Sequence, residues 1–416
     1  MASSFNVGPA SRTRVPWLVL VVLQLACPEN FGSSTASDTS TAGSTSSTSD
    51  PDGTDGPTVC GDGVAGPGEF CFEPLAVPEV EFPIDVDAVK MDGGYSFVAV
   101  TLGDAMLYRV AFADATFTVS PVAPMPLSAE SRIHVAELHS TGREDVVVTS
   151  IVYPWVDIAQ NLGTELQALT SNSVGAGPGV LIDAEGDGIA ELITSGYGEA
   201  FLWKYDPNTD KWAQQLPEYA VHGCRALWAS VTADFDGDSR DDVAYIGAPK
   251  AFSDSDNCAD VGFHRISVAV SDPQFGYPVA KDSIPLDFFP DELGAGDFDG
   301  DGKLDLAVVS SDVQMRLAVL AGLGDGTFAA PVTIDGVYQW LAVGNLDGDP
   351  QDEIVTNNGL LVLIDSPFTT PVIHELDISG RPHKIADVNA DGVGDVAFAG
   401  SPNAGPTALA VLLSSP

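Results

Sequence analysis

A nine-residue acidic segment recurs along this chain, and each copy leads into an apolar run. The clearest copy, Asp297-Phe298-Asp299-Gly300-Asp301-Gly302-Lys303-Leu304-Asp305, precedes Leu306-Ala307-Val308-Val309. Its relatives begin at Asp183, Asp234, Asn345 and Asp387. A degenerate copy spans Glu137 to Asp145, with His139 and Thr141 at ligand positions. A vestige lies near Ala88 to Ser96, where only Asp92 is acidic. Carboxylates this crowded repel one another unless a hard cation holds them, and all-oxygen sites suit calcium. The starts fall 42 to 63 residues apart. A loop repeated once per unit of that size indicates stacked supersecondary units sharing a continuous core.

The unit reads as four strands. In the best copy a short strand, Leu293 to Gly296, enters the loop, and Leu306 to Val309 leaves it. Arg316 to Leu320 follows, and the turn containing Asp325-Gly326 opens a fourth strand, Ala330 to Ile334. Asp-Gly between apolar runs favours a tight hairpin. Four antiparallel strands per repeat make one propeller blade. Third strands are expected near Leu107–Phe112, Leu166–Leu169, Phe201–Tyr205, Ile266–Val270, Leu317–Leu320, Leu360–Ile364 and Leu409–Leu413, one for each of seven loop starts. The expected fold is therefore an all-β, seven-bladed β-propeller over residues 72–416, with little helix. Fourth strands share a Phe-x-x(-x)-Pro-Val pattern, at Phe117, Phe275, Phe328 and Phe368. Phe72-Glu73-Pro74-Leu75-Ala76-Val77 resembles them but precedes the first blade, and the last unit ends after its third strand. The N-terminal strand is thus expected to complete the last blade and remove an exposed edge.

Loop chemistry names the ligands. Residues 1, 3 and 5 turn side-chain oxygens inward, residue 7 offers its carbonyl and residue 9 closes a cage of six to eight oxygens. The sets are Asp183, Glu185, Asp187, Ile189 and Glu191; Asp234, Asp236, Asp238, Arg240 and Asp242; Asp297, Asp299, Asp301, Lys303 and Asp305; Asn345, Asp347, Asp349, Gln351 and Glu353; and Asp387, Asn389, Asp391, Val393 and Asp395. They predict three to five Ca²⁺ ions. Gly188, Gly302 and Gly392 stand at position six, where Ser239 and Pro350 replace glycine. Proline cannot take positive φ, so loop 345 must turn differently or bind more weakly. An EF-hand needs a Glu at position twelve between helices; Thr194, Tyr245, Val308, Thr356 and Phe398 stand there instead.

The chain carries 59 acidic against 17 basic residues, a formal charge of −42. Such a surface repels phosphate backbones, which argues against a nucleic-acid partner. Arg12 and Arg14 precede an apolar run, Val15 to Ala26, that is short for a bilayer span, so residues 1–26 read as an export signal. Leu25-Ala26-Cys27 resembles a bacterial lipobox, with acylation of Cys27 expected. Gln24 departs from the aliphatic residue usual three before the Cys, and secretory cleavage or a retained anchor are the alternatives. Residues 27–59, rich in Ser, Thr and Asp, read as a flexible stalk reaching roughly 30 Å. Cys60 and Cys71 bracket a Gly-rich loop, residues 60–71. Four cysteines, Cys60, Cys71, Cys224 and Cys258, allow three pairings, of which the local ones, Cys60 with Cys71 and Cys224 with Cys258, are expected.

With Asp-Phe-Asp-Gly-Asp at 234–238 and 297–301, each followed by a closing carboxylate and an apolar strand, the chain resembles the FG-GAP/VCBS family of β-propellers, including the calcium-bearing blades of integrin α-subunits. The resemblance covers about residues 72–416. It implies the fold and calcium, and is weak for function, since such propellers occur in adhesins, carbohydrate-active enzymes and accessory domains. No Gly-x-Ser-x-Gly, His-Glu-x-x-His or phosphate-cradling Gly-rich loop is present, and the six histidines are scattered. Ile151 to Ile158 and Tyr338-Gln339-Trp340 would either place rings at a blade end for a ligand or pack between blades. The expected role is a monomeric, non-enzymatic binding or adhesion module at the outer membrane or cell surface, held by an N-terminal lipid anchor, recognising a protein or glycan. Secretion is the alternative location. A calcium-dependent polysaccharide lyase is the alternative function.

Overall fold

The computed structural model describes residues 70–125, 131–150, 155–169, 172–174, 179–196, 199–215, 229–246, 264–274, 276–310, 315–336, 338–357, 359–362, 368, 371–374, 380–401 and 405–415. The expected signal, stalk, lipidated Cys27 and Cys60, Cys224 and Cys258 lie outside these residues. Every regular element among them is a strand, and the strands form seven antiparallel sheets. After β1 (Phe72–Glu81), sheet one holds β2 (Pro83–Met91), β3 (Gly94–Thr101), β4 (Met106–Ala113) and β5 (Thr116–Pro124). Sheet two holds β6 (Ser131–Ala136), β7 (Asp145–Ser150), β8 (Trp155–Asn161), β9 (Leu166–Ala168) and β10 (Asn172–Ser173). Sheet three holds β11 (Gly179–Ile182), β12 (Glu191–Gly196), β13 (Glu199–Asp206) and β14 (Lys211–Gln214). Sheet four holds β15 (Ser230–Ala233), β16 (Asp242–Ile246), β17 (Arg265–Asp272) and β18 (Tyr277–Pro285). Sheet five holds β19 (Glu292–Gly296), β20 (Asp305–Val309), β21 (Leu317–Leu320) and β22 (Val332–Ile334). Sheet six holds β23 (Leu341–Gly344), β24 (Glu353–Thr356), β25 (Gly359–Val362) and β26 (Val372–His374). Sheet seven holds β27 (Arg381–Ala386), β28 (Asp395–Ser401) and β29 (Gly405–Ser414).

The core explains the unbroken apolar strands. Successive side chains point to opposite faces of a sheet, and here both faces are covered. Leu306 and Val308 pack toward sheet four with Val268 and Ile266, while Ala307 and Val309 pack toward sheet six with Leu341 and Ile354. A strand buried on both faces has no need of polar alternation. Every pair of successive sheets shares such a cluster, and sheets seven and one share Val86, Phe97, Ala397 and Leu409, so the series closes on itself. The described chain is an all-β propeller.

The N-terminal strand pairs as its sequence predicts. β1 lies antiparallel to β29, with Phe72 opposite Ser414 and Val77 opposite Leu409. Val77 and Val80 are buried in the cluster between sheets seven and one.

Two expectations are corrected, and one alternative is decided. The third strand of sheet two is β8, not Leu166–Leu169; residues 166–168 form β9, paired outside it. The vestigial loop near Ala88 to Ser96 is a two-residue hairpin, with Met91 opposite Gly94 across Asp92-Gly93. Tyr338 is buried in the cluster between sheets five and six, so its ring is packing rather than a ligand platform.

Charged groups on the innermost strands staple neighbouring sheets. Asp85 accepts hydrogen bonds from the Ile133 N–H (2.9 Å) and the His383 Nδ1–H (3.3 Å). Burial raises the Asp85 pKa, but His383, Arg132 and the Ile133 N–H outweigh it and hold the carboxyl at about 2. Burial pushes His383 below its ordinary value. The signs agree. Asp85 stabilises the fold above the unfolded carboxyl value near 4, and that contribution is lost as pH falls toward 2. His383 resists the proton that an unfolded imidazole accepts below about 6.5, so acid again favours unfolding. Asp85→Asn is expected to cost about 2 kcal/mol at pH 7, and urea melts should show the gap to the parent chain closing near pH 2.

Candidate metal centre

Each acidic loop joins the innermost strand of its sheet to the second, so all lie at one end of the propeller. The loops fold on their own carboxylates. The Asp234 oxygens accept the N–H groups of Gly237 (2.7 Å), Asp238 (3.1 Å) and Ser239 (2.8 Å). Asp183 accepts those of Gly186, Asp187 and Gly188, Asp297 those of Asp301 and Gly302, and Asp387 those of Asp391 and Gly392. That wrap needs left-handed backbone at positions four and six. Gly300 (φ 70°) and Gly302 (φ 83°) supply it, and Ser239 adopts it (φ 69°) without being glycine. In loop 345 only the Gly348 N–H reaches the Asn345 Oδ1 (2.6 Å), in keeping with Pro350 at position six.

The ninth residue begins the second strand and is buried. Asp242 accepts the N–H of Phe235 (2.9 Å) and of Ser271 (2.8 Å), and Asp305 accepts those of Phe298 (2.9 Å) and Gly322 (2.8 Å). Glu353 accepts the Leu346 N–H (2.6 Å). Burial, with neighbouring carboxylates adding to it, pushes Asp242 and Asp305 up to about 7 and Glu353 up to about 8, against the backbone donors. By themselves these oxygens hold a proton near neutrality; a divalent cation would displace it.

Three loops bring their carboxylates together. Oxygens of Asp234, Asp236 and Asp242 lie within 4.8 Å of one another, as do those of Asp297, Asp299 and Asp305, and those of Asp347, Asp349 and Glu353. Hard oxygens at that separation fit a cation of calcium's size, with bond lengths of about 2.3–2.6 Å. The fifth-position carboxylates of loops 234 and 297 face elsewhere: Asp238 pairs with Arg240 and Asp301 with Lys303. At position seven the N–H groups point into the loop, and in loop 387 the Ser414 hydroxyl reaches the Val393 carbonyl at 3.5 Å. The N–H groups of Ile189, Arg240, Lys303, Gln351 and Val393 donate to the fifth-position carboxylates.

The other loops keep the fold with different contents. In loop 183 the Lys204 ammonium stands 2.5 Å from Glu185 and 3.3 Å from Glu191. In loop 387 the Ser414 hydroxyl lies 2.9 Å from both Asp391 and Asp395, and the Asn389 amide donates to Asp391 (2.7 Å). In loop 137 His139 bonds Asp145 at 2.6 Å. Sequence reasoning missed Lys204, although a lysine inside the apolar run Phe201-Leu202-Trp203 was the available signal. It also missed the eighth residues. The Asp241 N–H donates to the Asp183 carbonyl (3.0 Å) while its carboxylate accepts the Asp183 N–H (3.0 Å), and Asp352 repeats this on Asp297. Adjacent loops are thereby tied edge to edge.

Residues 297–356 match the family described as FG-GAP-like repeat, a span that holds both the 297 and 345 loops. No curated protein matches the chain. The fold is similar to that of BBS1N, solved in complex with ARL6DN, at 11% identity and a TM-score of 0.51, covering 83% of this chain and 97% of that one. An Agrocybe aegerita lectin solved for recognition of non-reducing terminal N-acetylglucosamine is similar at 15% identity and a TM-score of 0.47, over 84% and 87%. Saccharomyces cerevisiae Sqt1 is similar at 10% identity and 0.49, over 82% and 87%. The chain is a β-propeller carrying an FG-GAP-like repeat over residues 297–356.

Proposed function

We propose that this chain is a seven-bladed, calcium-stabilised propeller that binds a partner through the end opposite its acidic loops. The seven sheets and their shared clusters support the blade number. The convergent carboxylates of loops 234, 297 and 345 support calcium there. Export and a lipid anchor at Cys27 would hold the propeller at a cell surface. A Cys60–Cys71 bridge would close the segment before β1, where Cys71 is buried.

One observation carries the binding reading: three exposed rings and four arginines gather at the end away from the loops. Strand direction puts the starts of the first and third strands of each sheet at the end away from the loops. Arg132, Arg265, Arg316 and Arg381 all stand at such starts. Phe82, Leu102, Trp155 and Phe289 lie in connections or strand starts at the same end and are exposed. Phe82 is 48% exposed and holds φ at 51°, a conformation costing a bulky residue about 1–2 kcal/mol. Arginine and aromatic rings are the residues that anchor interfaces. Arg316 and Arg381 already pair with Asp287 and Glu292, which leaves Arg132 and Arg265 beside the exposed rings to fit an acidic glycan: guanidinium groups hold carboxylates in bidentate geometry and flat rings stack on sugars. The same chemistry suits the alternative, a calcium-dependent lyase acting on uronates. A glycan array with the full chain in calcium should yield acidic glycans. Phe82→Ser and Trp155→Ala should lower that signal at least tenfold with an unchanged melting temperature. Binding that survives both substitutions would place the partner elsewhere, and product release from a bound glycan would favour the lyase.

A further inference from the structure

We infer that loop 183 is closed by an internal cation, the Lys204 ammonium, and takes no calcium. This rests on the calcium reading of loops 234, 297 and 345 and assigns what selects among the loops. The Lys204 Nζ contacts the third and ninth residues of its loop, Glu185 at 2.5 Å and Glu191 at 3.3 Å. Those are the positions of Asp236 and Asp242 in loop 234, and of Asp299 and Asp305 in loop 297, whose oxygens converge. The ammonium thus bridges the two carboxylates that in loops 234 and 297 would face an ion.

Register explains why only this loop is served. With Leu192 opposite Trp203, Glu191 falls opposite Lys204 on the third strand. The same register puts Val270 opposite Asp242, Ala321 opposite Asp305 and Val362 opposite Glu353. Those residues carry no charge, so no ammonium from the third strand bridges the third- and ninth-position carboxylates of these loops. An ammonium already bonded to two carboxylates must be expelled before a dication can enter. Loop 137 makes the same replacement by another route, with His139 at position three bonded to Asp145 at position nine. Loop 183 also docks on loop 234 through Asp183 and Asp241. A metal-independent loop therefore braces a metal-dependent one.

Calcium stoichiometry of the full chain, read by isothermal titration after chelator removal, tests this. The parent chain and Glu185→Gln should bind the same number of ions. Lys204→Met should bind one more, and Lys204→Met with Glu185→Gln should return to the parent number. A loss of one ion in Glu185→Gln, or no gain in a folded Lys204→Met, overturns the assignment while leaving calcium in the other loops. If Lys204→Met does not fold, the comparison of the parent chain with Glu185→Gln alone decides. A parent chain that binds no calcium overturns the calcium reading itself, and the assignment with it.

Discussion

Deletion of residues 28–81 should abolish cooperative folding, whereas deletion of residues 28–58 should leave the melting temperature where it was. The longer deletion removes no acidic loop. It removes β1, which pairs with β29 from Phe72 to Val77 and buries Val77 and Val80 between sheets seven and one. Without it β29 becomes an edge, its N–H and C=O groups lose partners, and the apolar side chains beneath meet water. Two buried valines and the lost ladder amount to about 5 kcal/mol or more, comparable to the whole stability of an ordinary domain. Circular dichroism and light scattering on the two truncations decide it. Equal melting would mean that the ring closes without the N-terminal strand.

Calcium removal should produce the second large effect. Three loops place three carboxylates each within 4.8 Å. A ligand at 100 times its dissociation constant adds about 2.7 kcal/mol per independent site, so three sites give about 8 kcal/mol. Differential scanning in millimolar calcium and in excess chelator should differ by roughly 10 °C or more. Asp305→Asn is expected to remove about a third of that difference, because its loop loses the charge that closes the cage while keeping an oxygen for the Phe298 N–H. Identical scans in calcium and chelator would remove the stabilising role.

The loops were legible because their chemistry is local: nine residues carry the carboxylates, the turns and the entry into the second strand. The repeat order and the closing strand were legible for the same reason, since Phe72 to Val77 resembles a Phe-and-Pro pattern seen four times elsewhere. The errors lie where tertiary context decides. β8 carries Asp157, Gln160 and Asn161, which reads as an exposed segment. Yet Asp157 and Asn161 are buried, and the Asn161 amide donates to the Lys90 and Glu144 carbonyls at 2.8 and 3.0 Å. Packing for the Tyr338 segment was one of two open readings, because its burial depends on sheet six packing over it. Lys204 was invisible to a count of acidic residues, because its role depends on standing opposite Glu191 in the ladder. The arginine end was hidden too, since Arg132, Arg265, Arg316 and Arg381 are far apart in sequence and share a location only through strand direction.

Crystals grown in calcium, with diffraction collected at long wavelength, test the central claim most directly. Anomalous peaks should lie among Asp234, Asp236 and Asp242, among Asp297, Asp299 and Asp305, and among Asp347, Asp349 and Glu353, with none between Glu185 and Glu191. The absence of peaks in the first three loops at saturating calcium would contradict the account.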